Sequence, residues 1–332
     1  MNKGEAGISG NRETGLLKVR ITARCREANG IDSFELACAD GSALPPFSAG
    51  AHIDVHIRNQ MVRQYSLCNA PGERHRYMIA VLRDPCSRGG SAAVHEEFYV
   101  GAEIGISSPQ NHFPLSDETG PSLLLAGGIG VTPILCMAEH LHAAGKEYVM
   151  HYCTRSPENT AFYSRIRNSG FAPRVAFHFD DEDPARRFNL KEVLEGARSD
   201  HRLYVCGPRG FMDAVLGEAR QQGWHEERLH YEFFSAAPGL LVDDSAFEVE
   251  LASCGTVVAV HKNETVAQAL MAAGVEIPLS CEQGVCGTCV TRVLDGIPDH
   301  RDLYLTAAEK AGNDRFTPCC SRARTKRLVL DI

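Results

Sequence analysis

The feature that most constrains this 332-residue chain is a run of cysteines near its C-terminal end. Cys281, Cys286 and Cys289 stand in Ser-Cys-Glu-Gln-Gly-Val-Cys-Gly-Thr-Cys, a C-x4-C-x2-C spacing, with Cys319 and Cys320 far downstream. That spacing is the ligand pattern of a plant-type 2Fe–2S centre. Two irons need four thiolates, and a short loop wraps three of them around one centre only where the backbone bends sharply, as Gly284 and Gly287 permit. The fourth ligand is Cys319 or Cys320, because neighbouring side chains of an extended segment face opposite ways and only one can reach the centre. Structural zinc is the rival reading, but zinc sites usually show two paired Cys or Cys/His knuckles. An iron–sulfur centre of this kind carries single electrons and does no bond chemistry of its own. The rest of the chain must therefore supply a source of electrons.

Composition narrows the options. The length suggests two or three domains, and 44% hydrophobic residues suffice for real cores. A formal charge of −8 argues against a nucleic-acid partner, which needs a clustered Lys/Arg excess. The local basic run Arg322, Arg324, Lys326 and Arg327 reads as a solvated strand edge or tail before it reads as a docking patch. Thirteen scattered cysteines, with no charged-then-apolar leader at the start, point to a reducing cytoplasm without disulfides. The most apolar stretch, Leu123 to Ala138, is short for a membrane span and is broken by Gly127, Gly128, Gly130 and Pro133. It reads as strand, glycine loop and helix. Residues 1–15 are polar and Gly-rich, the composition of a disordered start.

Three folded segments follow. From 16 to 118, runs such as Leu17-Lys-Val-Arg-Ile-Thr and His52-Ile-Asp-Val-His-Ile alternate apolar and polar residues between turn signals, the pattern of a small antiparallel β-barrel. From 119 to 235, apolar strands at Ser122 to Ala126, Tyr148 to Cys153, Arg174 to Phe179 and Leu203 to Cys206 alternate with helical stretches, which predicts βαβ units and a parallel sheet. Residues 236–245, with Pro238 and Gly239, read as a linker. A third domain, 246–332, is expected to hold strands near 247–252 and 256–260, a helix from Glu264 to Ala273 stopped by Gly274, and the cysteine loop.

Two groups of residues suit a flavin and a nucleotide. In Arg63-Gln-Tyr65-Ser66-Leu67, a guanidinium can pair with a phosphate, a phenol ring can lie on an isoalloxazine and a hydroxyl can reach its N5. Barrel packing explains the same residues equally well. Arg88-Gly89-Gly90-Ser91 precedes a helix expected from Ala92, and free N–H groups at such a start form an anion site; an ordinary glycine turn is the alternative. Gly127-Gly128-Ile129-Gly130-Val131-Thr132-Pro133 joins strand to helix where a pyrophosphate would sit, although it is not the G-x-G-x-x-G fingerprint. Cys206-Gly207-Pro208 ends a later strand at the ligand-binding edge of an open sheet, and a buried cysteine there is either core or a neighbour of a nicotinamide. His52, Asp54 and His56 share a strand face, which reads as a polar outer face of the barrel and not as a metal site. His95-Glu96-Glu97 is not a zinc-protease motif.

From about residue 16 the chain resembles the phthalate dioxygenase reductase family, in which an FMN barrel, an NADH domain and a ferredoxin domain are fused. The resemblance rests on Arg63/Tyr65/Ser66, Arg88 to Ser91, Gly127 to Pro133, Cys206 to Pro208, Glu232/Phe234 and the four cysteines, in the family's order. Ala51-His-Ile-Asp-Val-His, Arg63-Gln-Tyr-Ser-Leu-Cys-Asn and Pro298-Asp-His-Arg-Asp-Leu look most like its aromatic O-demethylase branch. The resemblance implies an antiparallel β-barrel FMN domain, a ferredoxin-reductase-like α/β parallel-sheet NAD domain and a β-grasp plant-type ferredoxin domain. It implies FMN rather than FAD and NADH rather than NADPH, with Arg155, a possible partner for a 2′-phosphate, the one feature against NADH.

The same resemblance assigns roles. Arg63, Arg88, Gly89, Gly90 and Ser91 hold the flavin phosphate, and Tyr65 and Ser66 set its ring. Gly127, Gly128, Gly130, Thr132 and Pro133 hold the pyrophosphate. Cys206 and Phe234 border the hydride-transfer space, where Phe234 lies over the flavin, and Gly207, Pro208 and Glu232 belong to the cofactor-binding set. Ser66, Cys206 and Phe234 form the catalytic set. Cys281, Cys286, Cys289 and Cys319 bind the cluster, Cys319 being chosen because 29 residues separate it from Cys289, as in the plant-type ferredoxins. The expected function is an NADH-dependent reductase passing single electrons to the Rieske centre of a partner oxygenase, as a cytoplasmic monomer. The alternatives are a phthalate-type, carnitine-type or cytochrome acceptor and, from another class, an iron–sulfur redox sensor.

Overall fold

The computed structural model describes residues 16–58, 61–85, 89–116, 120–181, 188–197, 200–234 and 244–332. The expected disordered start, Arg88, the proposed boundary at 118/119 and most of the proposed linker lie outside the described residues.

The first unit is a six-stranded antiparallel sheet of β1 (Leu17–Ala28), β2 (Ile31–Cys38), β3 (His52–His56), β4 (Val62–Ser66), β5 (Tyr77–Leu82) and β6 (Glu103–Ile106), in the order β4-β3-β6-β1-β2-β5. Irregular register in β1 at Ile21/Ala23 and Arg26/Ala28 bends that long strand, which helps the sheet curl. The Cys68 amide, just past β4, donates to the Met78 carbonyl on β5 at 2.9 Å and ties the two edges together. Inward residues such as Val19, Ile21, Phe34, Leu36, Ile53 and Val55 fill the barrel. Its helix α1 (Gly90–Glu97) starts two residues earlier than Ala92, after Gly89 at φ 90°.

The second unit is the expected parallel sheet, with β7 (Ser122–Gly127), α2 (Val131–Ala143), β8 (Tyr148–Thr154), α3 (Tyr163–Arg167), β9 (Val175–Phe179), α4 (Leu190–Gly196), β10 (Arg202–Cys206), α5 (Arg209–Gln221) and β11 (Leu229–Glu232). The strand order is β11-β10-β7-β8-β9, so the winding reverses between β7 and β10. The fifth strand, β11, was not anticipated, since Leu-His-Tyr-Glu has little apolar content. One face of the sheet packs on α2 and the other on α4 and α5. The α2 core continues onto the barrel unit through Ala49, Cys68, Met78, Ala80 and Phe113, so an apolar cluster joins the first two units beside the barrel's own core.

The third unit has β12 (Phe247–Leu251), β13 (Val257–Val260), α6 (Val266–Ala272), β14 (Thr291–Asp295), β15 (Pro298–Asp299), α7 (Ala307–Gly312), β16 (Arg315–Phe316), β17 (Arg322–Ala323) and β18 (Arg327–Leu330). Its mixed sheet runs β13-β12-β18-β14-β16, and β15 pairs with β17 in a small ribbon. Helix α6 starts at Val266 because Thr265 caps it, with Gln268 closing a reciprocal capping box, and Gly274 at φ 80° follows its end. Asp244 and Ser245, read from sequence as the end of the linker, are tied to this unit. Arg301 donates a fork to the Asp244 carboxylate at 2.5 and 2.9 Å, and Arg322 donates to the Ser245 carbonyl at 3.0 Å. Arg322 is therefore not the solvated edge residue expected. It is 2% exposed, lies over the Phe247 ring and also donates to the carbonyls of Glu264 and His261.

Candidate functional site

The reversal between β7 and β10 is where open α/β sheets bind ligands, and both predicted glycine segments sit there. Close backbone packing accounts for much of their composition. A Cβ on Gly130 would stand 2.3 Å from the Cys206 carbonyl oxygen, and one on Gly127 would meet the Phe211 ring at 2.8 Å. Gly127 and Gly130 thus let the ends of the two strands touch. Gly128, at φ 50° with nothing near its Cβ position, is the open member of the loop. Gly130 precedes α2 without any side-chain cap, which leaves N–H groups at that helix start without a side-chain acceptor. Thr132 donates to the Ile129 carbonyl at 3.1 Å, and Pro133 is buried in the first turn.

A cavity of about 570 Å³ opens beside this edge. It brings together Arg63, Tyr65, Ser66, Gly90 and Ser91 of the barrel unit, Thr132, Glu232 and Phe234 of the α/β unit, and Cys281 and Cys286 of the cysteine loop. Arg63 lies against the glycine turn: a Cβ on Gly90 would meet its Nε at 2.7 Å. Ser66 Oγ donates to Glu232 Oε2 at 3.4 Å. Burial pushes the Glu232 carboxyl up to about 8, with the Ser66 contact pulling the other way, so at neutral pH it favours the protonated form. Burial also raises the Tyr65 phenol to about 12, which keeps it neutral. Size, a half-buried cation beside a glycine turn and a phenol wall suit a flavin.

Four predicted residues are placed differently. Cys206 does not line the cavity; its fully buried side chain belongs to the core around α2, and burial, then nearby Glu232, drives its thiol far up. Gly207 and Pro208 pack on Gly127. Ser91 is at the wall, but its hydroxyl accepts from the Asp84 amide at 3.2 Å. Sequence reasoning also misjudged His52. It is 4% exposed and lines the cavity with His112, 5.3 Å away between ring centres. Burial, then His112, lowers it to about 4, with Asp54 opposing. His52 packs on His112 of its own unit and Asp54 accepts from Ser280 of the third unit, so the expectation of a polar outer face fails for these two residues. Period-two alternation shows which residues share a face but not what covers it.

In the cysteine loop, Gly284 and Gly287 have φ of 71° and 76°, as the sharp bend requires. A Cβ on Gly284 would stand 2.4 Å from Cys320 Sγ, and one on Gly287 would run into the Tyr304 ring. The buried thiols fall into pairs: Cys281 reaches Cys286, and Cys319 reaches Cys289. The contact with Cys281 pulls the Cys286 thiol down, towards the thiolate. Among the described residues no three His, Cys, Asp or Glu side chains converge as a single-ion site would need. Two thiol pairs are the donor set that two irons require. Residues 318–320 form a turn, so Cys319 and Cys320 are not on opposite faces of a strand, and their sulfurs meet. Cys319 nevertheless is the one that also reaches Cys289.

Comparison with known proteins agrees with this architecture. Residues 249–324 match the model of the 2Fe-2S iron-sulfur cluster binding domain. The chain is 52% identical over 317 residues to a vanillate O-demethylase oxidoreductase of Pseudomonas sp. (strain HR199 / DSM 7063), covering 96% of this chain and 100% of that protein. It is 38% identical to the phthalate dioxygenase reductase of Burkholderia cepacia over 322 residues, 97% and 99% of the two chains. A solved phthalate dioxygenase reductase, titled as a modular structure for electron transfer from pyridine nucleotides to a 2Fe–2S centre, superposes with a TM-score of 0.81, covering 97% and 99%. An intact self-sufficient cytochrome P450 monooxygenase is 35% identical, with a TM-score of 0.77, over 100% of this chain and 43% of that one. With its three units, shared cavity and paired thiols, this chain belongs to the phthalate dioxygenase reductase family of oxidoreductases, among the reductase components of oxygenase systems and alongside the vanillate O-demethylase oxidoreductases.

Proposed function

We propose that the chain takes a hydride from NADH onto FMN and passes electrons singly, through a 2Fe–2S cluster, to the Rieske centre of a separate oxygenase of the vanillate-demethylating type. The observation that carries this reading is one cavity walled jointly by barrel, α/β unit and cysteine loop. Bound FMN supplies the conversion of one hydride into two single electrons, and the cluster relays them. In this reading Arg63, Gly89 and Gly90 hold the flavin phosphate, and Tyr65 and Phe234 flank its ring. Ser66 and Glu232 present a hydroxyl and a protonated carboxyl to the reacting edge. The start of α2 holds the pyrophosphate of NADH, and Cys281, Cys286, Cys289 and Cys319 hold the cluster. Orientation is the main task, so no nucleophile is needed.

The likeness to a self-sufficient P450 supports haem as a second class of acceptor. Purified protein loaded with flavin and cluster should reduce an artificial one-electron acceptor with NADH, and then a Rieske oxygenase component in preference to a P450 haem domain. Absence of NADH-dependent reduction would refute the reductase reading, and preference for the haem would overturn the partner.

A further inference from the structure

We propose that Ser280 and Glu282, on either side of Cys281, are positioning residues that clamp the cysteine loop onto the edge of the flavin barrel. The proposal rests on the cofactor order proposed above. Ser280 is 3% exposed, and its hydroxyl donates to Asp54 Oδ1 on β3 at 2.7 Å. Arg63 on β4 donates through Nη1 to Glu282 Oε1 at 3.0 Å, with both side chains largely shielded from solvent. Asp54 is paired with Gln64 and Arg63 with Val55, so the two barrel side chains leave opposite faces of the β3–β4 pair. The loop therefore holds the β3–β4 pair at both faces, through Asp54 on β3 and Arg63 on β4, and a shift along the pair breaks one contact or the other. Cys281, held between the grips, and Cys286 line the cavity beside Tyr65 and Ser66, whereas Cys289 and Cys319 do not.

Backbone geometry points the same way. Glu282 has φ 53°, one of three residues other than glycine with a positive φ among the described residues. An L side chain adopts that region only when its surroundings hold it there. The left-handed turn directs the Glu282 carboxylate at Arg63 while Cys281 keeps its place in the thiol pair. Arg63 also lies over Gly90, so one guanidinium touches both the glycine turn and the loop.

The test compares wild-type, Glu282→Lys and Ser280→Ala as full-length protein loaded with flavin and cluster. Stopped-flow mixing with NADH without oxygen follows flavin and cluster absorbance separately, and amide exchange of residues 278–287 is read by mass spectrometry. Glu282→Lys removes the ion pair and sets a like charge against Arg63; it should slow cluster reduction roughly tenfold while flavin reduction stays within about twofold. Ser280→Ala should slow cluster reduction about threefold, the effect of one lost hydrogen bond. Both variants should show faster loop exchange at unchanged cluster content. Wild-type rates and exchange in both variants would overturn the clamp, as would equal slowing of flavin and cluster. If wild-type itself failed to reduce its cluster with NADH, the proposed function would fall, and the exchange measurement would still decide the clamp.

Discussion

Glu232→Gln removes the carboxyl that the fold holds neutral against the hydroxyl of Ser66. Raising that group from 4.5 to about 8 corresponds to roughly 5 kcal/mol of preference for the protonated form. Glu232 borders an open cavity, and water there relieves part of this, so roughly 2 kcal/mol is the expected observable share. The sign follows from linkage: a carboxyl whose folded value is raised contributes its stability below its unfolded value and loses it as pH rises through the folded one. Flavin-free wild-type should thus lose stability between about pH 4.5 and pH 8, over and above the loss in Glu232→Gln. At about 2–4 °C per kcal/mol, the difference in thermal midpoint between pH 5 and pH 8.5 should be roughly 4–8 °C larger in wild-type. Comparing the two proteins cancels histidines that titrate in the same window. Parallel pH profiles would refute the claim that burial holds this carboxyl neutral.

Other substitutions probe separate parts of the account. Gly130→Ala places a methyl against the backbone of Cys206 and should cost roughly 2–3 kcal/mol in chemical denaturation, against about 1 kcal/mol for Gly128→Ala, where only the positive φ resists. Asp244→Asn leaves Arg301 and buried Arg322 without their shared carboxylate, and should destabilise the third unit by about 3 kcal/mol, read from the midpoint of cluster loss in urea. Cys319→Ser should abolish the cluster spectrum and Cys320→Ser should retain it; the reverse pattern would move the fourth ligand to Cys320.

Periodicity and punctuation carried the architecture, because strands that alternate and helices that end in glycine are local facts. Four of the five parallel strands were visible as apolar runs, while β11 was not, since Tyr231 and Glu232 face the cavity instead of a core. The bend of the cysteine loop was legible for a similar reason: two glycines at fixed offsets had to take positive φ, and they do. Contacts between distant segments were not legible. Arg63 looked like a phosphate ligand alone, yet it also pairs with Glu282, more than 200 positions away. His52 and Asp54 looked like surface, yet His52 packs on His112 of its own unit and Asp54 is bonded by Ser280 of the third. Arg322 looked like part of a basic tail until Asp244 supplied its partner.

The central claim is an electron path from NADH through flavin to the paired thiols. Its most direct test is a limiting dose of NADH, added without oxygen to protein carrying both flavin and cluster and to the same protein stripped of flavin, with the reduced cluster read by electron paramagnetic resonance. The account predicts a reduced-cluster signal only when flavin is present, restored by adding FMN back. A signal of equal size without flavin, or none with it, would contradict the account.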